Sequence, residues 1–204
     1  MKNFDNSYLS KKIKFIAGTD EAGRGPLAGP VVAAAVIFSP DVFIEGVNDS
    51  KVLSETKREK YFDEIVLRAK AYSVSIIPVK VIDEINILNA SLLAMKEAVS
   101  NLKVNPDLVL VDGNKSFSSD IPVIPIIKGD SKSFCIAAAS ILAKVTRDRL
   151  MKKLAVEFPR YFWEKNKGYP TKQHRELIKQ YGPSPLHRKT FLRKILCETD
   201  LLNN

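Results

Sequence analysis

Cysteine and histidine are scarce in this chain, with two of each in 204 residues. Cys135 and Cys197 lie far apart, in helix-like contexts and without metal-ligand spacing, so a reduced pair is expected rather than a disulfide framework. Long apolar runs are missing too. The longest, Val31 to Phe38, falls far short of the ~20 residues that span a bilayer. No apolar segment near the start is followed by a small-residue cleavage site, so no signal peptide is expected and the cytoplasm is the expected compartment. Internal repeats and low-complexity segments are absent. Acidic residues are scarce in one part only. Residues 128–204 hold 17 Lys and Arg against 7 Asp and Glu, whereas residues 1–127 hold 15 against 16. The net charge of +9 therefore sits in the C-terminal part, which points to a polyanion partner, nucleic acid before membrane. A hydrophobic share of 45% and a charged share of 27% are those of a globular chain.

What is present is concentrated first in Gly18 to Val31. Two adjacent carboxylates, Asp20 and Glu21, stand where the apolar run Ile13 to Ala17 stops. Gly23-Arg24-Gly25 follows, and a second apolar run begins at Val31. Two acids and an arginine at a bend between core strands imply pairing or a bound ion, because charge beside a core is otherwise costly. The glycines permit close backbone approach.

Further along, Asn48-Asp49-Ser50-Lys51 reads as a polar turn. Ser54 can cap a helix to about Ala69. Tyr72, Val74 and Ile76 alternate with serines, the period of a half-buried strand. Leu88, Leu92, Met95, Val99 and Leu102 recur at helical spacing. Leu108 to Val111 reads as a strand that runs into Asp112-Gly113-Asn114. Ile121 to Ile127, broken by two prolines, reads as an edge strand that runs into Lys128-Gly129-Asp130. Ser131 or Ser133 caps a long helix to about Phe158, small-sided at Ala137 to Ser140 and basic later. The tail is basic and aromatic. Its helix from Thr171 stops near Gly182-Pro183, and a last helix from about Arg188 would bury Phe191, Leu192 and Ile195.

Strands and helices interleave, which predicts an α/β layered fold. Three strands run into acids: Asp20 with Glu21, Asp112, and Asp130. Converging at one edge of a sheet, four carboxylates without lysine partners would repel, and their pKa values would rise. A divalent cation resolves that, and an all-oxygen set suits Mg²⁺ or Mn²⁺. Such clusters serve two-metal phosphoryl transfer. Two other readings stay open on the residues alone: a non-catalytic nucleic-acid-binding module, and a metal-dependent phosphoesterase acting on DNA or small phosphates.

Taken together, these segments resemble the bacterial ribonuclease HII family from about Ile13 to Phe191. Asp20 to Leu27 is similar to the family's first motif, and Asn48 to Lys51 with Leu53-Ser54 to its second. Asp112-Gly113-Asn114 and Lys128-Gly129-Asp130 resemble the segments of the third and fourth acids. Ala137 to Asp148 resembles its long helix, and Lys167 to Thr171 with His187-Arg188 its tail. Val52 and Asn166 depart from the pattern. With the first motif acid at position 20, the extra N-terminal domain of the ribonuclease HIII type is not expected.

The resemblance implies a ribonuclease H-like fold, a mixed five-stranded sheet flanked by helices. It implies one catalytic unit, with a core over about 12–158 and a basic helical extension over about 159–204. The implied activity is endonucleolytic hydrolysis of RNA paired with DNA, including incision 5′ of a single ribonucleotide in duplex DNA, leaving 5′-phosphate and 3′-hydroxyl ends. Asp20, Glu21, Asp112 and Asp130 carry over as catalytic metal ligands for Mn²⁺ or Mg²⁺. Gly23, Arg24 and Gly25 would read the 2′-hydroxyl and its phosphate. Tyr169 would pack on the following deoxyribose. Ser50, Lys51, Lys144, Lys167 and Arg188 would hold phosphates. The expected substrates are RNA–DNA hybrids and ribonucleotide-containing duplex DNA, bound by a monomer without a membrane. The end at 200–204 shows no Gln-led clamp-binding peptide.

Overall fold

The computed structural model describes residues 1–48 and 50–193. Asp49, Ile195, Cys197 and the end at 200–204 lie outside the described residues. Five strands form one mixed sheet: β1 (Ile16–Ala22), β2 (Val31–Ile37), β3 (Ala71–Ile77), β4 (Leu108–Asp112) and β5 (Val123–Ile126). Their order is β3-β2-β1-β4-β5. The pairs β3–β2 and β2–β1 are antiparallel, and β1–β4 and β4–β5 are parallel. β2 is apolar throughout and buried along its whole length, as expected of a central strand covered on both faces. β5, with Pro125, takes the outer position where a missing N–H costs no ladder bond.

Helices cover both faces. α3 (Val79–Ser100) packs on one through Ala90, Ala94, Met95 and Ala98, against Ala33, Ala35, Val109 and Val111. α4 (Phe134–Glu157) packs on the other, capped by Ser133, whose Oγ accepts from the Ile136 N–H. Its small side is essential. A Cβ at Gly18 would lie 2.3 Å from backbone atoms of Cys135 and Ile136, so β1 and α4 meet backbone to backbone. α2 (Glu55–Arg68), capped by Ser54, lies outside α4, and α1 (Lys2–Asn6) packs near the α4 N-terminus, where Asp5 accepts from the Cys135 N–H at 2.9 Å. Among the described residues no helix is long and apolar enough to cross a membrane.

Three expectations need correction. β1 does not stop at Ala17; it continues through Asp20 and Glu21, because Ala34 and Ala33 of β2 pair with them. In β3 the buried residues are Ala71, Ser75 and Ile77, whereas Tyr72 and Ile76 are exposed. The small serines face α3, where Ser75 Oγ donates to Glu97 at 2.6 Å, so close helix packing decides the face over hydrophobicity. The stripe from Leu88 to Leu102 outruns α3, which ends at Ser100, and α3 contains a break at Asn86 (φ 67°), whose side chain accepts from the Asn89 N–H and restarts the helix.

The tail forms α5 (Trp163–Asn166), α6 (Lys172–Tyr181), capped by Thr171, and a helical turn at 189–193. It packs on the core around Trp163, Ile178 and Leu192, together with Leu27, Ala28 and Met151.

Candidate active site

At the ends of β1 and β4 the parallel register Thr19↔Val111 brings Asp20 and Asp112 side by side at the next step. Asp130 arrives from the turn after β5. Lys128 adopts a left-handed conformation there (φ 55°), and Gly129 follows. The Gly129 N–H donates to Asp112 Oδ1 at 2.7 Å, and a Cβ on Gly129 would crowd Ile136 at 2.6 Å. The bare glycine lets the chain pass close to Asp112 without displacing the Ile136 side chain. Carboxylate oxygens of Asp20, Asp112 and Asp130 lie within 4.8 Å of one another.

Glu21 follows Asp20 in an extended strand, so the two side chains leave opposite faces of the sheet. Their partners Ala33 and Ala34 accordingly belong to opposite core layers. Glu21 is thus outside the tight triad but lines the same cleft, a cavity of about 340 Å³. Gly23, Arg24, Gly25, Ser50, Lys51, Lys144 and Tyr169 also line it.

The cluster is electrostatically strained. Burial, with the charges of Glu21 and Asp112, pushes the Asp20 carboxyl well above the usual carboxylate range. Burial also raises Glu21, against the lowering effect of Arg24. Asp112 is raised by burial and by Asp130. Contrary to the expectation that the acids lack lysine partners, Lys51 Nζ reaches Asp130 at 2.8 Å. A cationic group thus already sits beside one acid. Three clustered, largely buried oxygen donors with an amine at their edge fit a hard divalent cation.

The other predicted residues divide. Ser50 is buried, and its Oγ meets Ser140 Oγ at 2.9 Å, while Arg58 holds the Ser50 carbonyl at 2.9 Å. Lys144 pairs with Asp148 at 2.6 Å and stands over the Tyr169 ring. Tyr169 faces the glycine loop across the cleft; a Cβ at Gly25 would lie 3.8 Å from its ring. Lys167 is not on the cleft wall and donates to the Glu164 carbonyl. Arg188 requires a correction. It is fully buried, and its guanidinium donates to the carbonyls of Gly23 (2.6 Å), Arg24 (3.1 Å) and Gly29 (2.8 Å), so no phosphate can reach it.

Two residues were missed as site residues. Ser140 hydrogen-bonds Asp20 and lowers its pKa against the stronger effect of burial. Arg147 is buried beneath the loop and donates to Pro30, Lys167 and Ala28 carbonyls, each at 3.0 Å. The available signal was helical spacing: 140, 144 and 147 fall on one face of α4. The departure Asn166 is also explained. Its side chain donates to the Tyr161 carbonyl and accepts from the Gly168 N–H, fixing the turn before Tyr169. The histidines are buried and structural: His174 Nδ1 meets the Tyr169 carbonyl at 2.9 Å, and His187 Nδ1 accepts from the Ser184 N–H at 2.9 Å.

The family model for ribonuclease HII matches residues 17–195. The chain belongs to the ribonuclease HII family. Ribonuclease HII of Caldicellulosiruptor bescii is 54% identical over 192 residues, covering 94% of this chain and 93% of that protein. Ribonuclease HII of Clostridioides difficile is 53% identical over 193 residues, covering 95% and 76%. The crystal structure of ribonuclease H2 from Pyrococcus horikoshii superposes with a TM-score of 0.75 at 32% identity, over 91% of this chain and 99% of that one. Ribonuclease HII membership makes the chain a ribonuclease H type endonuclease with activity on RNA–DNA hybrids. The family depends on divalent metal, and the buried acidic triad is where this chain could hold it.

Proposed function

We propose that this endonuclease also incises duplex DNA on the 5′ side of a single embedded ribonucleotide, leaving 3′-hydroxyl and 5′-phosphate ends. The carrying observation is the cleft itself, which sets the acids beside a glycine loop that faces Tyr169 across it, close enough that a Cβ at Gly25 would lie 3.8 Å from the ring. Asp20, Asp112 and Asp130 would hold Mn²⁺ or Mg²⁺, with Glu21 as the fourth ligand beside them. The chemistry supplied by two such ions would be activation of a water for in-line attack and charge stabilisation of the leaving 3′ oxygen. The chain's own residues bind and orient. Gly23-Arg24-Gly25 brings backbone groups against the ribose, where only a 2′-hydroxyl completes the hydrogen bonds. Tyr169 packs on the next sugar, where a further hydroxyl would clash. Arg24, Lys51, Ser50 and Lys144 hold phosphates along the cleft. Lys167 stands behind this wall and contributes charge.

The core and the basic extension act as one catalytic unit, because the extension supplies Tyr169; the protein works as a monomer in the cytoplasm. The test is an end-labelled duplex with one ribonucleotide, incubated with Mg²⁺, Mn²⁺ or EDTA beside an all-DNA duplex. Metal-dependent cutting 5′ of the ribonucleotide alone is expected. Cutting of all-DNA would contradict hydroxyl reading. Cutting of long hybrids without the single-ribonucleotide duplex would contradict junction reading.

A further inference from the structure

Two guanidinium groups lie buried behind the glycine loop, Arg147 from α4 and Arg188 from the tail. Among the described residues neither forms an ion pair. Burial lowers both pKa values, that of Arg188 to about 9, with Arg147 adding repulsion. A buried cation without a carboxylate costs stability unless its donors are satisfied. Here they are satisfied by backbone carbonyls. Arg188 spans Gly23, Arg24, Gly29 and Pro30, and Arg147 spans Ala28, Pro30 and Lys167. A Cβ at Gly23 would lie 2.3 Å from Arg147 Nε, so the loop backbone rests directly on this pair.

The consequence follows from peptide planarity. In a trans peptide the C=O and the following N–H point in opposite directions, and no cis bond is present. The carbonyls of Gly23 and Arg24 point at Arg188, so the N–H groups of Arg24 and Gly25 point away from it. Neither of these amides donates to a backbone carbonyl among the described residues. Two successive amides held in one direction form a cradle for a hydroxyl or phosphate oxygen.

We propose that Arg188 is a positioning residue for substrate discrimination. By gripping the Gly23 and Arg24 carbonyls it aims the Arg24 and Gly25 amides at the ribonucleotide. Arg147 extends the grip to the Tyr169 segment, through the Lys167 carbonyl and by standing 5.8 Å over the Tyr169 ring. The two halves of the recognition device are thereby held in register by one buried pair. This inference rests on the proposed reading of the 2′-hydroxyl by the loop. Lysine cannot substitute, because a single ammonium lacks the planar fork that reaches several carbonyls at once.

The test compares binding of a duplex containing one ribonucleotide with binding of the same all-DNA duplex, in the slow-cutting Asp112→Asn background. The parent should prefer the ribonucleotide duplex. Arg188→Lys should cut that preference about 10-fold, the worth of two modest hydrogen bonds, by weakening the ribonucleotide duplex more than the all-DNA duplex. Guanidinium added to Arg188→Ala should restore the preference. A merely structural arginine would weaken both affinities together or lower only the melting temperature, which would overturn the proposal. A parent without preference would overturn the hydroxyl reading instead. Should the variants not fold, amide relaxation of the unaltered protein decides. Arg24 and Gly25 are expected as ordered as β1, with order parameters near ~0.85, and values below about 0.6 would overturn the clamp.

Discussion

The acid cluster and the glycine loop share one cleft but are held in different ways. Asp20 and Asp112 stand on neighbouring strand ends of one sheet, aligned by parallel register, and Asp130 comes from the turn after β5. The loop is held from far away in the chain, by Arg147 on α4 and by Arg188 at the end of the tail. The acids carry excess negative charge in a buried place, and the loop rests on excess buried positive charge. In the proposed reading, the sheet builds the site for cations, and the glycine loop with Tyr169 of the docked extension builds the site for an anionic, hydroxyl-bearing strand. Chemistry and recognition can therefore be damaged separately.

The largest effect should come from the acids. In Asp112→Asn the side chain still offers an oxygen to the Gly129 N–H, so the fold should hold and its melting temperature should stay or rise. Cleavage should fall on the order of 10³-fold, comparable to losing a main electrostatic group. Retained cleavage would remove Asp112 from the metal site.

Gly18→Ala should destroy both regions together. Its Cβ would enter the α4 backbone, forcing β1 and α4 apart at a cost of about 3–5 kcal/mol, read by denaturant melts. Gly23→Ala presses instead on Arg147 and strains a positive φ of 104°, so it should spare the melt more and injure ribonucleotide preference. Equal destabilisation by the two would blur the distinction between the regions.

Acid should drive the two regions in opposite directions. Burial and the neighbouring His174 lower the His187 pKa to about 4, against 6.5 ordinarily. Stability from the neutral ring is complete above 6.5 and is lost as pH falls toward 4, up to about 3 kcal/mol. His174 shifts in the same direction, so the aromatic centre of Tyr161, Trp163 and both histidines loosens in acid. Asp20 has the reverse sign. Its raised pKa means the fold binds that proton more readily than the unfolded chain, so acid relieves the cluster. Hydrogen exchange at pH 7 and 4.5 should show faster opening over residues 160–188 while β1 and β4 stay protected. Uniform loosening would contradict this. The smallest effect is graded: log Kd for duplex should rise linearly with log salt if the basic extension tracks phosphates, and a flat response would contradict that.

The acids were legible in the sequence because strands announce themselves by apolar runs, and residues that follow parallel strands converge at one sheet edge. At Asp20-Glu21 adjacency did not show that the strand continues and alternates the two side chains between faces, although both line the cleft. The face of β3 was misread because serines that admit α3 outweigh Tyr72 and Ile76. Arg188 was expected to hold phosphate, and its burial was not legible. A buried arginine bonded to carbonyls looks, in sequence, like any solvated or phosphate-bound one. Only the folded chain brings position 188 to within 2.6 Å of the Gly23 carbonyl.

The most direct test measures binding and cleavage separately on one duplex with a single embedded ribonucleotide. Asp112→Asn should bind it in EDTA at least as tightly as the unaltered protein, and should cut it on the order of 10³-fold more slowly when Mn²⁺ or Mg²⁺ is added. Binding lost in step with cleavage would show that recognition depends on the acid cluster, and would contradict the separate construction of the two sites.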